Sequence, residues 1–167
     1  LTRGSLYHAL QAEFQRALKA RGALPLRPEA VADAVVLMEE TLDRIAAEYH
    51  ERLAPAIERV WKDEVDDLRR DLSIWVQRMA QEHEWIPEYF EWSFGLKDHA
   101  EGRDPRSLDT PVVLDGGFTL RGSVDLIERH HALDVLRVTD HKTGRNRSNP
   151  DLIVGGGGTL QPVLYSM

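Results

Sequence analysis

The chain contains no cysteine, no apolar run long enough to cross a membrane and no excess of basic residues. The first absence excludes a disulfide framework, a cysteine-ligated zinc site and an iron–sulfur cluster. The second, together with an amino terminus that lacks a charged-then-apolar leader, predicts a cytoplasmic protein with no membrane partner. The third is an imbalance of 28 acidic against 21 basic side chains, a formal charge of -7. It argues against coating nucleic acid through bulk positive potential, so any phosphate contact must be local. What is present is 167 residues, 42% of them hydrophobic, enough for one globular domain with a core. The chain starts at Leu1 and stops at Met167 inside a helical pattern, and the expectation is a domain cut from a longer protein.

The first half reads as helix. Leu6, Leu10, Phe14 and Leu18 recur every four residues until Gly22, Pro25 and Pro28 interrupt them. Val31, Val35, Met38, Leu42, Ile45, Tyr49 and Leu53 then step by four and three along one stripe of a long helix. Past Pro55, which a first helical turn tolerates, Ile57, Trp61, Val65, Leu68, Leu72, Trp75 and Met79 repeat those steps on a third helix. Its other face, from Lys62 and Asp63 to Arg70 and Asp71, is expected to be solvated.

After Pro87 the period shortens. Residues 89–96 predict a strand, 98–110 a polar loop, and 112–128 a strand pair folded at Asp115, Gly116 and Gly117. A turn is expected at 129–132, with His130 and His131 exposed in it, then a strand over 133–142 and a last helix from Thr159. The run Gly155 to Gly158 lacks the Gly-Lys-Ser/Thr of a nucleotide-binding loop. Trp61, Trp75, Trp85 and Trp92 are expected in the core or at an interface.

Chemistry concentrates in TDHKTGRN, residues 139–146. Residues i and i+2 of a strand share a face, so Asp140 and Lys142 present together. Asp125 precedes Asp140 by 15 residues, a separation that one short hairpin closes into neighbouring strand positions. Two carboxylates that close repel unless a cation lies between them, and hard oxygen ligands select Mg²⁺ or Mn²⁺. A lysine beside such an ion can orient water or stabilise charge on a phosphate. Taken alone, Asp140 and Lys142 read as an exposed ion pair contributing roughly 0 to 1 kcal/mol, and it is the second carboxylate at Asp125 that disfavours that reading. Arg145 and Arg147 follow in a stretch with no acidic residue, suited either to drawing a phosphate backbone or to a solubilising loop.

Four segments, GSLYH (4–8), GSVD (122–125), TDHKTG (139–144) and GTLQPVLY (158–165), resemble in order the motifs of the PD-(D/E)XK nucleases. The likeness is to the RecB-like branch of bacterial helicase-nucleases and CRISPR adaptation nucleases, and it spans nearly the whole chain. It implies an α+β, restriction-endonuclease-like αβββαβ core: a first helix in 1–22, a helical insertion in 29–86, and the sheet with the start of the last helix in 88–167. It further implies that His8, Asp125, Asp140 and the backbone carbonyl of His141 hold Mg²⁺ or Mn²⁺, and that Asp125, Asp140 and Lys142 form the catalytic set. Gln161 and Tyr165 would support the site and contact the nucleic acid, and Glu91 corresponds to an acidic residue that some relatives place there. Without the other motifs, His8 is an ordinary packing residue and Gln161 with Tyr165 an ordinary helix-face pair.

Three departures stand out. Leu126 occupies a place where relatives commonly carry arginine, and His141 one where they favour an aromatic residue. The missing cysteines rule out the iron–sulfur clasp of many members. The expected activity is a metal-dependent DNA exonuclease acting on single-stranded ends in recombination or repair, with a helicase domain or subunit as partner. The alternative is a catalytically inactive nuclease fold that guides DNA or serves as scaffold in a helicase-nuclease complex. A helical interaction module would explain only the first half.

Overall fold

The computed structural model describes residues 3–96 and 102–141. Lys142, Arg145, Arg147, Gln161, Tyr165 and the expected last helix lie outside them. Three helices come first: α1 (Arg3–Ala20), α2 (Val31–Leu53) and α3 (Glu58–Gln81). Five strands follow: β1 (Trp85–Phe94), β2 (Val112–Val113), β3 (Thr119–Leu120), β4 (Gly122–His130) and β5 (Leu136–Thr139). β1, β4 and β5 form an antiparallel sheet in that order, and β2 pairs with β3 separately. The fold is of the mixed α+β class.

The helical periodicity is realised as one core. Leu6, Leu10, Phe14 and Leu18 of α1 bury against Leu37, Met38, Leu42 and Ile45 of α2 and Leu68, Leu72 and Val76 of α3. Each such side chain, withdrawn from water, contributes about 1.5 to 3 kcal/mol. Ala12 belongs to a second cluster with Phe90 of β1 and Leu126 of β4. Helix α1 is therefore packed on two sides, between the other helices and the sheet. Its small alanine admits the strand side chains closely. The apolar stripe of the third helix departs from expectation at its start, where Ile57, just ahead of α3, is 60% exposed. The last turn of α2 is exposed as well, so at the tip of this helical hairpin the stripe has nothing to bury against. Lys62, Asp63, Asp66, Arg70 and Asp71 are exposed, as the charged face requires. No helix among the described residues is long and apolar enough to cross a membrane.

The strands differ from the sequence expectation at their ends. β1 begins at Trp85, two residues before Pro87 rather than after it. Proline cannot donate to a ladder and is confined to edges and bulges. β1 meets both conditions, because among the described residues β4 is its only neighbour in the sheet and the register slips between Pro87 and Tyr89. The turn at Asp115 to Gly117 separates β2 from β3 as expected, but the second expected strand, over 118–128, breaks at Arg121 into β3 and β4. β4 then continues to His130, and the turn moves to residues 131–134. His130 is not exposed in that turn. Its Nδ1 accepts the backbone N–H groups of Ala132 and Leu133 at 3.1 Å each, and its ring stands edge-on to Trp85 with centroids 5.1 Å apart. Gly95 closes β1 at φ 68°, and a Cβ there would lie 2.8 Å from Pro111 Cα, so only glycine fits.

Candidate metal centre

His8 lies one helical turn before Ala12, so the periodicity that buries Ala12 against the sheet also turns His8 toward β1 and β4. On the sheet, the pairs Phe90 with Leu126 and Trp92 with Val124 set Glu91 opposite Asp125. His8 Nδ1 stands 3.4 Å from Asp125 Oδ1 and 3.7 Å from Glu91 Oε1. One ligand atom from each of the three residues falls within 4.8 Å of the others. The cluster opens on a cleft of about 440 Å³ lined by Gly4, Ser5, His8, Arg16, Tyr49 and Glu91. The GSLYH segment thus forms part of its wall.

Electrostatics tie the trio together. Asp125, then Glu91, push the His8 imidazole up to about 10 against the opposing effect of burial. Burial pulls the Asp125 carboxyl upward, but His8 and the His141 N–H outweigh it and hold the group below the usual carboxylate range. That N–H donates to Asp125 Oδ2 at 2.6 Å. At neutral pH the imidazolium therefore supplies the positive charge that two facing carboxylates demand.

A divalent cation would serve the same purpose, and the donors suit one. Bonds of about 2.0 to 2.6 Å to a hard cation leave adjacent ligand atoms about 3 to 4 Å apart. Two carboxylates with one neutral imidazole form a set that such ions accept.

The other expected site residues are placed as follows. Asp140 is the first residue after β5 and is exposed. The pairing of Leu126 with Thr139, carried one step on, sets it alongside Asp125. The cluster among the described residues is nonetheless His8, Glu91 and Asp125, without Asp140. His141 meets His8 and Trp75 edge-on at centroid distances of 6.4 and 6.2 Å, and burial pushes its imidazole pKa down.

One residue escaped the sequence reading. Asp104, in the stretch read as a plain polar loop, is 3% exposed and accepts hydrogen bonds from the backbone N–H groups of Phe90 at 3.1 Å and Arg106 at 2.9 Å. The available signal was the Asp104-Pro105 pair, because Asp before Pro favours a turn in which the carboxylate bonds the N–H two residues on.

Comparison with known proteins agrees with this geometry. Neither curated proteins nor solved structures yield a match. The profile of the PD-(D/E)XK nuclease superfamily matches residues 1–167, the whole chain. A carboxylate and histidine cluster on an α+β frame, together with a family match of that extent, places the chain in the PD-(D/E)XK nuclease superfamily.

Proposed function

We propose that this nuclease is a Mg²⁺- or Mn²⁺-dependent deoxyribonuclease of the RecB-like branch that hydrolyses single-stranded DNA from its ends during recombination or repair, beside a helicase domain or subunit. The observation that carries the reading is the convergence of His8, Glu91 and Asp125 at the mouth of an open cleft. Asp140 and the His141 carbonyl would complete the ligand set, since both follow directly on the strand beside Asp125. A cation held there would neutralise the carboxylates and polarise the phosphodiester.

The chain's own side chains supply the rest. Lys142 follows Asp140 by two residues and would set an ammonium against the developing phosphate charge. Arg145 and Arg147 would draw the DNA backbone locally on an otherwise acidic protein. Gln161 and Tyr165 would steady the strand. With no cysteine in the chain, none of this involves an iron–sulfur cluster.

The test uses end-labelled single-stranded, double-stranded and circular DNA, and a matched RNA, with Mn²⁺, Mg²⁺ or EDTA. Mononucleotides or short products from linear single strands, none from circles, and no cleavage by Asp140→Ala or Lys142→Ala are expected. A wild-type protein that binds DNA but cuts nothing under any metal would replace this reading with the scaffold. Cleavage unaffected by both substitutions would show the catalytic set to be wrong.

A further inference from the structure

Glu91 contributes to the cluster from an unusual backbone conformation. Its φ of 54° is left-handed, a region that costs a non-glycine residue energy and that persists only where the surroundings enforce it. The strand around it shows what the conformation accomplishes. Phe90 directs both its backbone groups away from β4: its N–H to Asp104 Oδ2 at 3.1 Å, and its carbonyl to Arg16 Nη2 at 2.9 Å. In an unbroken pleat the next residue to do so would be Trp92. Instead it is Ser93, whose N–H donates to the Ser107 hydroxyl at 2.9 Å and whose carbonyl accepts from Leu108 N at 2.8 Å. The left-handed residue absorbs that change of phase while the register with β4 stays continuous across it, and its side chain is re-aimed. The carbonyl of Glu91 consequently accepts from Asp104 N at 3.0 Å, on the loop, not on β4.

Asp104 thus grips the strand on both sides of the Phe90–Glu91 peptide, with its carboxylate on one residue and its N–H on the other. The carboxylate is itself anchored. Arg106 N and Nε donate to Oδ1 at 2.9 and 3.1 Å, and the Arg106 guanidinium also bonds the Glu88 carbonyl and stacks 3.7 Å from the centre of the Tyr89 ring. A charged group buried this deeply costs free energy unless it is fully bonded, and here it is fully bonded.

We infer that Asp104 is the positioning residue of the metal centre: its buried carboxylate and backbone N–H hold Glu91 in the left-handed conformation that sets the Glu91 side chain beside His8 and Asp125. The inference rests on the cluster being a metal site. Asp104 touches neither the cation nor the substrate, and its effect passes through Glu91.

The measurement is Mn²⁺ affinity by titration calorimetry on the whole chain, for wild type, Asp104→Ala, Asp104→Asn, Glu91→Gln and the Asp104→Ala/Glu91→Gln double variant. Circular dichroism establishes that each is folded. Asp104→Ala is expected to weaken Mn²⁺ binding about 10- to 100-fold, the range for residues that orient a ligand. The double variant should bind no more weakly than Glu91→Gln alone. Asp104→Asn keeps an oxygen for the Phe90 N–H and should recover most of the affinity, and it carries the test should the alanine variant fail to fold. Wild-type affinity in Asp104→Ala, an Asp104→Asn affinity as low as that of Glu91→Gln, or losses that multiply in the double variant would overturn the inference while leaving the metal site standing. Absence of Mn²⁺ binding by the wild type would overturn both.

Discussion

Asp125 and Glu128 lie three residues apart on the same strand, and each faces a cation of a different kind. Glu128 is closed. Arg137 Nε and Nη2 donate to its two oxygens at 2.6 and 2.9 Å, the Thr139 hydroxyl adds a third bond at 2.9 Å, and the side chain is 6% exposed. Arg137 in turn reaches Glu82 at 2.7 Å and lies 4.7 Å from the centre of the Trp85 ring. A guanidinium keeps its proton at every pH the fold survives, so this pair never offers a vacancy to an ion. Asp125 faces an imidazole, and an imidazole can surrender its charge. A permanent counter-ion makes a structural link of a carboxylate, whereas a removable one leaves it available for binding.

Substitution should separate the two residues most sharply. Asp125→Asn is expected to lower Mn²⁺-dependent DNA cleavage by more than about 100-fold, beyond the loss typical of residues behind the ligands. Glu128→Gln should leave Mn²⁺ binding near wild type and cost about 1.5 to 3 kcal/mol of stability, because it removes a charge-assisted hydrogen bond to a guanidinium that Glu82 still holds. Metal titration and urea unfolding of both variants check this, and a folded Glu128→Gln protein that cannot bind Mn²⁺ would erase the contrast.

A smaller effect concerns protons. With its pKa near 10, His8 must shed a proton to accept a cation at neutral pH. Mn²⁺ affinity should therefore rise about tenfold per pH unit across the neutral range, with close to one proton released per ion. Calorimetry in buffers of different ionisation enthalpy counts that proton, and a flat profile would show that His8 is not a ligand.

The smallest effect is on the metal-free fold. His8 is raised from an ordinary 6.5 to about 10, so the stabilisation from Asp125 and Glu91 is complete below pH 6.5 and disappears as pH rises through about 10. Asp125 is shifted the other way, and its share is present above its ordinary 3.8 and lost on acidification. Melting temperatures in EDTA should decline between pH 6.5 and 10, and His8→Gln should flatten that decline.

The helices were legible because burial of a helix face writes a period of three and four into the chain. Leu6, Leu10, Phe14 and Leu18 show it, as do Leu68 and Leu72, and all are buried, whereas farther along α3 the buried position is Val76 and the expected Trp75 and Met79 are only partly buried. The strand ends were less legible. Pro87 looked like a boundary, yet an edge position with a bulge accommodates it, and being at an edge is a property of the neighbours, not of the proline. The turn after β4 was misplaced because nothing local announces that His130 will cap it with a ring nitrogen. Of the site, His8 and Asp125 were found through motifs. Glu91, like the role of His8, entered through family likeness, and Asp104 was read as part of a plain polar loop, because its contacts with β1 depend on how that loop lies against the strand.

The order of residues alone settled the helical stripes, the meander of strands and the identity of the charged groups available for chemistry. These follow from periodicity and side-chain type, which neighbours along the chain already express. Tertiary packing decided which carboxylate stays open and which is sealed, and it bent Glu91 out of the pleat toward His8. Those outcomes turn on distances of a few ångströms between segments far apart in the chain, where Coulomb attraction and desolvation are settled only once the segments meet.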